Sequence, residues 1–338
     1  MMDGDREFGM RRMKAALLLM AAAALGAQPA AQSRAEALIE AGHWKQARTL
    51  VEARLREAPE DPLAIYLMSQ IRFAFGDADT PLKLAERALA LDGGVAKYHR
   101  QVAEVTGVMA QHANVFQLIS LSRRFKREID AALALNGNDI QSLRDLMEFY
   151  LLAPGIIGGD KAEARAVAER IGSIDRAEGF SAQARLAEFD KDVAKEETLL
   201  RQAAEAAPES YKAKIELAKF ALAKERRNLE AAESAAREAL KLDATRVDAY
   251  SILADVYASR GEWAKLEGLL ADADEAVPDD LAPHYRAAEA MLRTGRNLNA
   301  AQRNLRKYLT LEPEGNEPAA ANAREKLAAA QSGGKPGQ

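Results

Sequence analysis

Apolar residues recur three and four positions apart along nearly the whole chain, a spacing that predicts helices rather than strands. The clearest stretch runs over 247–280. Tyr250, Leu253, Ala254 and Tyr257 share one face of a first helix. Gly261 then stands where a left-handed residue ends a helix. Trp263, Leu266, Leu270 and Ala273 mark a second helix, and Pro278 closes it because its ring cannot continue the helical hydrogen bonding. Ala254 and Ala273 are small where the two helices must approach.

The same frame returns from residue 33 to 313. Gly42, Trp44, Ala47, Val51 and Pro59 form the second half of a first unit. Ile65, Met68, Ser69, Gly76, Ala85 and Ala88 form the next. Later units carry Ala184, Ala187, Leu200, Ala203 and Pro208, then Leu217, Ala218, Ala232, Ala236 and Ala239, then His284, Ala288, Gly295, Ala301 and Pro313. Two units depart from it. Ala88 and Ala132 occupy equivalent places but stand about ten residues further apart than a repeat of roughly 34 allows. The insertion is expected near 110–121, lengthening the helices of the third unit. In the fourth, Ala153-Pro154-Gly155-Ile156-Ile157-Gly158-Gly159-Asp160 replaces the tight turn.

These motifs resemble the tetratricopeptide repeat, an aromatic–Leu–small–Tyr helix followed by an Ala–aromatic–Pro helix. The segment 149–161 is similar to one in exported bacterial tetratricopeptide proteins, and 125–136 is loosely similar to the regulators of microtubule dynamics. The resemblance implies an all-α, right-handed superhelical solenoid of about eight helix pairs over 32–316. An Ala-rich helix at 317–331 is the expected cap, because a solenoid needs an end with one polar face. Residues 332–338 read as a disordered tail.

The N-terminus changes the picture. Arg11, Arg12 and Lys14 precede an apolar run from Ala15 to Ala27, and small residues follow. That order is a signal peptide, expected over 1–31, with the true start at Met10 or Met13. The run falls short of the roughly 20 residues a spanning helix needs, so no integral membrane segment is expected after cleavage. Export and a complete lack of cysteine together suit a periplasmic or secreted bacterial protein.

Composition removes several classes of chemistry. A net charge of -4 argues against general nucleic-acid binding. Zero cysteine removes thiol nucleophiles and thiolate metal sites. The four histidines show no metal-ligand spacing. No phosphate-loop lysine motif or nucleophile elbow occurs. No catalytic residue, metal or cofactor is therefore expected. Gly155–Gly159 reads as an irregular turn with Asp160 capping the next helix; an anion nest is the other reading, and Asp160 opposes it.

What remains is the groove. In tetratricopeptide proteins the first helix of each pair lines the concave side, where peptides usually lie. That geometry selects Tyr66, Gln70 and Phe73, then Arg100 and Glu104, then Arg144 and Glu148, then Arg185, with Leu63, Lys97, Gln141, Ser181 and Glu188 beside them. Aromatics and arginines are enriched at interface hot spots, and the arginines favour a client bearing carboxylates. The other reading has Tyr66 and Phe73 packed between repeats and the arginines bridging neighbouring carboxylates. The expected function is a non-enzymatic scaffold of the cell envelope that binds a protein or peptide. The alternative is a structural or regulatory subunit of an envelope enzyme or assembly complex.

Overall fold

The computed structural model describes residues 34–77, 79–223 and 226–331, except for the side chain of Asn316. The expected signal segment 1–31 and tail 332–338 lie outside the described residues. Every regular element among the described residues is helical.

The helices come in pairs. They are α1 (34–41) with α2 (Trp44–Glu57), α3 (Pro62–Ala74) with α4 (Thr80–Leu91), α5 (Ala96–Gln111) with α6 (Val115–Leu135), and α7 (Ile140–Leu152) with α8 (Lys161–Ile174). Next come α9 (Arg176–Phe189) with α10 (Val193–Ala206), α11 (Tyr211–Leu222) with α12 (Leu229–Leu242), α13 (Val247–Arg260) with α14 (Trp263–Ala276), and α15 (Ala282–Thr294) with α16 (Leu298–Tyr308). A last helix, α17 (Ala320–Gln331), covers the end of the stack against α16. Its Leu327 packs on the C-terminal core, so the apolar side read from sequence is the one buried.

Each turn has a local cause. Asp61, Asn114, Asp139, Asp160, Asp175, Asp192, Ser210 and Asn228 accept backbone N–H groups at the starts of their helices. Such a cap stabilises a helix by about 1 kcal/mol. Gly261 and Gly295 end α13 and α15 with φ of 76° and 68°, the left-handed region that glycine enters without strain. Buried alanines, among them Ala47, Ala88, Ala132, Ala168, Ala203, Ala239, Ala273 and Ala301, sit at the crossings within and between pairs. At the α8–α9 crossing the backbones themselves touch: a Cβ on Gly179 would lie 2.2 Å from the Gly172 Cα.

The inserted residues of the third pair appear as extra helix. α5 has 16 residues and α6 has 21, against 11 to 14 in the other helices described from end to end, α2–α4 and α7–α17. The α7–α8 connection is a 3-10 turn over Gly155–Ile157. Its two following glycines are needed for different reasons. Gly158 has φ 107°, whereas Gly159 has no room, since a Cβ there would meet the Ala153 carbonyl oxygen at 1.7 Å.

Successive first helices also pack on one another, α3 on α5, α7 on α9, α11 on α13 and α13 on α15, so they form the inner layer of the curve. The curve goes far enough round for its ends to meet. The Lys45 backbone N–H donates to Glu314 Oε2 at 3.0 Å. The Lys45 ammonium donates to the Asp279 carbonyl and, at 2.8 Å, to the Glu312 carbonyl. Gln46 donates to the Asp279 carboxylate at 2.9 Å, and Arg48 pairs with Glu312 at 2.7 Å. Gly315, φ 56°, faces the Trp44 indole, which a Cβ would approach within 3.1 Å. Trp44, which opens the second helix of the first unit, is therefore also part of this closure.

Candidate partner-binding site

The inner layer presents the residues selected from sequence, and most already have partners. Tyr66 is 5% exposed, with its ring 5.1 Å from Tyr98. Lys97 lies over that ring at 5.3 Å and pairs with Glu36 at 2.6 Å. Burial pushes the Tyr66 phenol up to about 12. Gln70 is half-buried. Phe73 faces a cavity of about 960 Å³ between α3, α5 and the C-terminal linker, whose wall also contains Trp44, Val105, Met109, Leu121 and Gly315.

The arginines form a ladder from one first helix to another. Arg100 reaches Glu104 at 3.7 Å on its own helix and Asp145 on α7 at 3.5 Å. Arg144 pairs with Glu178 on α9, which also takes Lys212 from α11 at 3.0 Å. Arg185 runs back to Glu148 on α7 in a two-pronged contact of 2.7 and 2.9 Å. The within-helix Arg144–Glu148 bridge considered above is thus replaced by two cross-repeat bridges. Paired guanidiniums leave little free positive charge for a client's carboxylates.

A second cavity lies beside this ladder, between the third and fourth pairs. It holds about 510 Å³ and is walled by Val108, Leu118, Phe125, Phe149, Leu152 and Ile157. Phe125 and Phe149 stack with centroids 5.2 Å apart. Glu104, Asp145 and Glu148 supply its polar side. Arg100 serves both Glu104 and Asp145. Burial pushes Asp145 up to about 7, with Arg100 opposing and Glu104 reinforcing the shift. Burial likewise raises Glu104, against the attraction of Arg100. The chemistry available is an apolar slot with an acidic end, which suits an apolar side chain next to a cation. Sequence reasoning selected Glu104 and Glu148 but missed Asp145 and the two phenylalanines. Asp145 follows Arg144 in sequence but points about 100° away round the helix, and only packing shows it turned toward Arg100.

The histidines His99 and His284 are structural. His99 bonds Glu128 at 2.9 Å, and His284 lies between Asn304 at 2.7 Å and Asp274 at 3.0 Å. Among the described residues no group of three His, Asp or Glu side chains could hold a metal. No helix among them is long and apolar enough to cross a membrane.

No protein-family model matches the chain. No curated protein matches it. Solved structures do. Yeast Tom70 is similar over 86% of this chain at 15% identity, TM-score 0.55; the match spans 59% of the Tom70 structure. A thermophilic TPR protein of Thermus thermophilus is similar over 57% of this chain and 98% of its own, at 18% identity and TM-score 0.49. With eight sequential helix pairs, turn glycines and an end helix, the chain has the tetratricopeptide-type fold, an all-α solenoid.

Proposed function

We propose that the chain is a non-enzymatic adaptor of the bacterial cell envelope that holds a peptide segment of a client protein against its first helices. The observation that carries this reading is the cavity between the third and fourth pairs, where an aromatic wall meets three carboxylates served by few cations. A client segment with an apolar side chain followed by Lys or Arg fits that slot. The selectivity is then opposite to the one expected from the arginines alone.

The double variant Glu104→Gln with Asp145→Asn tests it. Burial raises both carboxylates, which favours neutral amides at pH 8, while Arg100 loses the charge of both its partners; a thermal melt selects for the test a variant that stays folded. Capture of a client from a periplasmic extract should fall about tenfold, the loss of one charge-assisted contact. Unchanged capture by a stable variant rejects the slot. A fixed-stoichiometry complex that survives in the variant favours the envelope-subunit alternative. Export rests on residues 1–31; N-terminal sequencing of the native protein should find them absent, and a chain starting at Met1 in the cytosol rejects it.

A further inference from the structure

The long third pair walls both cavities with Val108, and its tip runs on past them. Its hairpin carries Val108, Met109, Val115 and Phe116 at 38%, 37%, 66% and 86% exposure. Beside it, Leu152 and Ile156 at the α7–α8 turn are 56% and 90% exposed. The α6 helix contacts the Gly155–Ile157 turn. Val108, Met109 and Leu152 also wall the cavities, whereas Val115, Phe116 and Ile156 line neither of them and stand exposed outside. They are held there rather than frayed: Asn114 accepts the backbone N–H groups of Phe116 and Gln117 at 3.1 Å each, and Gln117 accepts from Asn114. Fixing a phenylalanine in water on a capped helix has no benefit to folding.

Charge supplies the second observation. No Asp or Glu occurs between residues 105 and 127, in a chain of net charge -4. Residues 149–159 carry no charge at all. Behind the apolar tip stand Arg123, Arg124, Lys126 and Arg127. Arg123 is exposed and has no ion pair among the described residues, whereas Arg124, Lys126 and Arg127 pair with Glu86, Asp130 and Glu128; of these three the Arg127 side chain stays 66% exposed beside its partner. Phe116, Ser120, Arg123 and Arg127 follow one exposed stripe of α6. Seven residues of helix put Arg123 about 10 Å behind Phe116. Amphipathic elements bury their apolar side by about 5–10 Å, so an Arg123 that far behind Phe116 stays at or above the headgroups.

We propose that the α5–α6 hairpin and the adjoining α7–α8 turn dock the protein on an anionic lipid surface. Val115, Phe116 and Ile156 enter the acyl boundary, while Arg123 and Arg127 meet lipid phosphates. Isolated protruding side chains suit a fluid acyl layer, which closes around each of them. A protein partner would need a matching set of pockets. The surface is peripheral, and it lies apart from the acidic end of the slot.

The mature chain should bind vesicles of equal parts phosphatidylglycerol and phosphatidylcholine, bind pure phosphatidylcholine far less, and be released by salt. Phe116→Ser with Ile156→Ser should weaken anionic-vesicle binding by about tenfold or more at an unchanged circular-dichroism melting curve. Arg123→Glu should weaken it by about fivefold to tenfold without touching an apolar residue. All these chains begin after residue 31, the expected mature start, because the basic residues and apolar run of 1–31 would themselves bind anionic vesicles. Equal binding to both vesicle types, or binding untouched by the double variant, overturns the proposal. It is also overturned if the double variant abolishes self-association without lipid while leaving vesicle binding intact, which would make the tip a contact between copies.

Discussion

Replacing Glu314 by glutamine should stabilise the closed ring at pH 8 and do little at pH 5. The Glu314 side chain is 3% exposed where the C-terminal linker meets the first repeat. Burial pushes its carboxyl from 4.5 up to about 7; the Lys45 N–H and ammonium oppose this, and Asp279 and Asp280 add to it. A folded-state value above the unfolded one means stability that is complete below about pH 4.5 and lost as pH rises through 7. At about 1.4 kcal/mol per tenfold change in proton affinity, the charged form costs the closed state about 3 kcal/mol at pH 8 and less than about 1 kcal/mol at pH 5. Glutamine keeps an oxygen for the Lys45 N–H and removes the charge. The expected gain is therefore about 2–3 kcal/mol at pH 8 after relaxation. Trp44 faces Gly315 in the same contact, and Trp263 is the only other tryptophan. Urea titrations followed by fluorescence in a Trp263→Phe background thus read the closure itself. Destabilisation by Glu314→Gln at pH 8 would refute the reasoning, because it would show that attraction to Lys45 outweighs desolvation. An equal gain at both pH values would refute it as well.

Three further outcomes are expected. Gly158→Ala should lower stability by about 1 kcal/mol through its left-handed φ, while Gly159→Ala should cost more, since the backbone must move to clear the Ala153 carbonyl; thermal melts rank the two. Arg185→Ala should cost about 1 kcal/mol or less, because its bridge to Glu148 is about one-third exposed; chemical denaturation measures it, and a much larger loss would mean that the ladder holds the inner layer together. Deleting residues 320–331 should uncover the face of α16 and raise light scattering at rest, whereas unchanged scattering would mean that α17 is not a cap.

The reading from sequence and the structure agree where causes are local. Tyr250, Leu253 and Tyr257 share a helix face because 3.6 residues make a turn. Gly261 ends α13 in the left-handed region because it has no Cβ to clash there. Asp160 caps α8 because its side chain reaches the N–H groups two and three residues on. The extra residues near 110–121 became longer helices because they keep the helical period. Groove residues were less legible. Period alone places Arg100, Arg144 and Arg185 on inner faces, but which carboxylate each one meets depends on the offset between neighbouring helices.

Sequence by itself determined the helices, their pairing, the repeat count and the two irregular units, all of which follow from interactions within about 34 residues. The tertiary structure decided what depends on summing small rotations over eight repeats. Lys45 meets Asp279, Glu312 and Glu314 only because that sum brings the ends together. No spacing encodes it, since each repeat contacts its neighbours alone until the last one arrives. The burial of Glu314, and the acidity it loses with it, follows from the same accumulated geometry, whereas that of Asp145 follows from the packing of two neighbouring pairs.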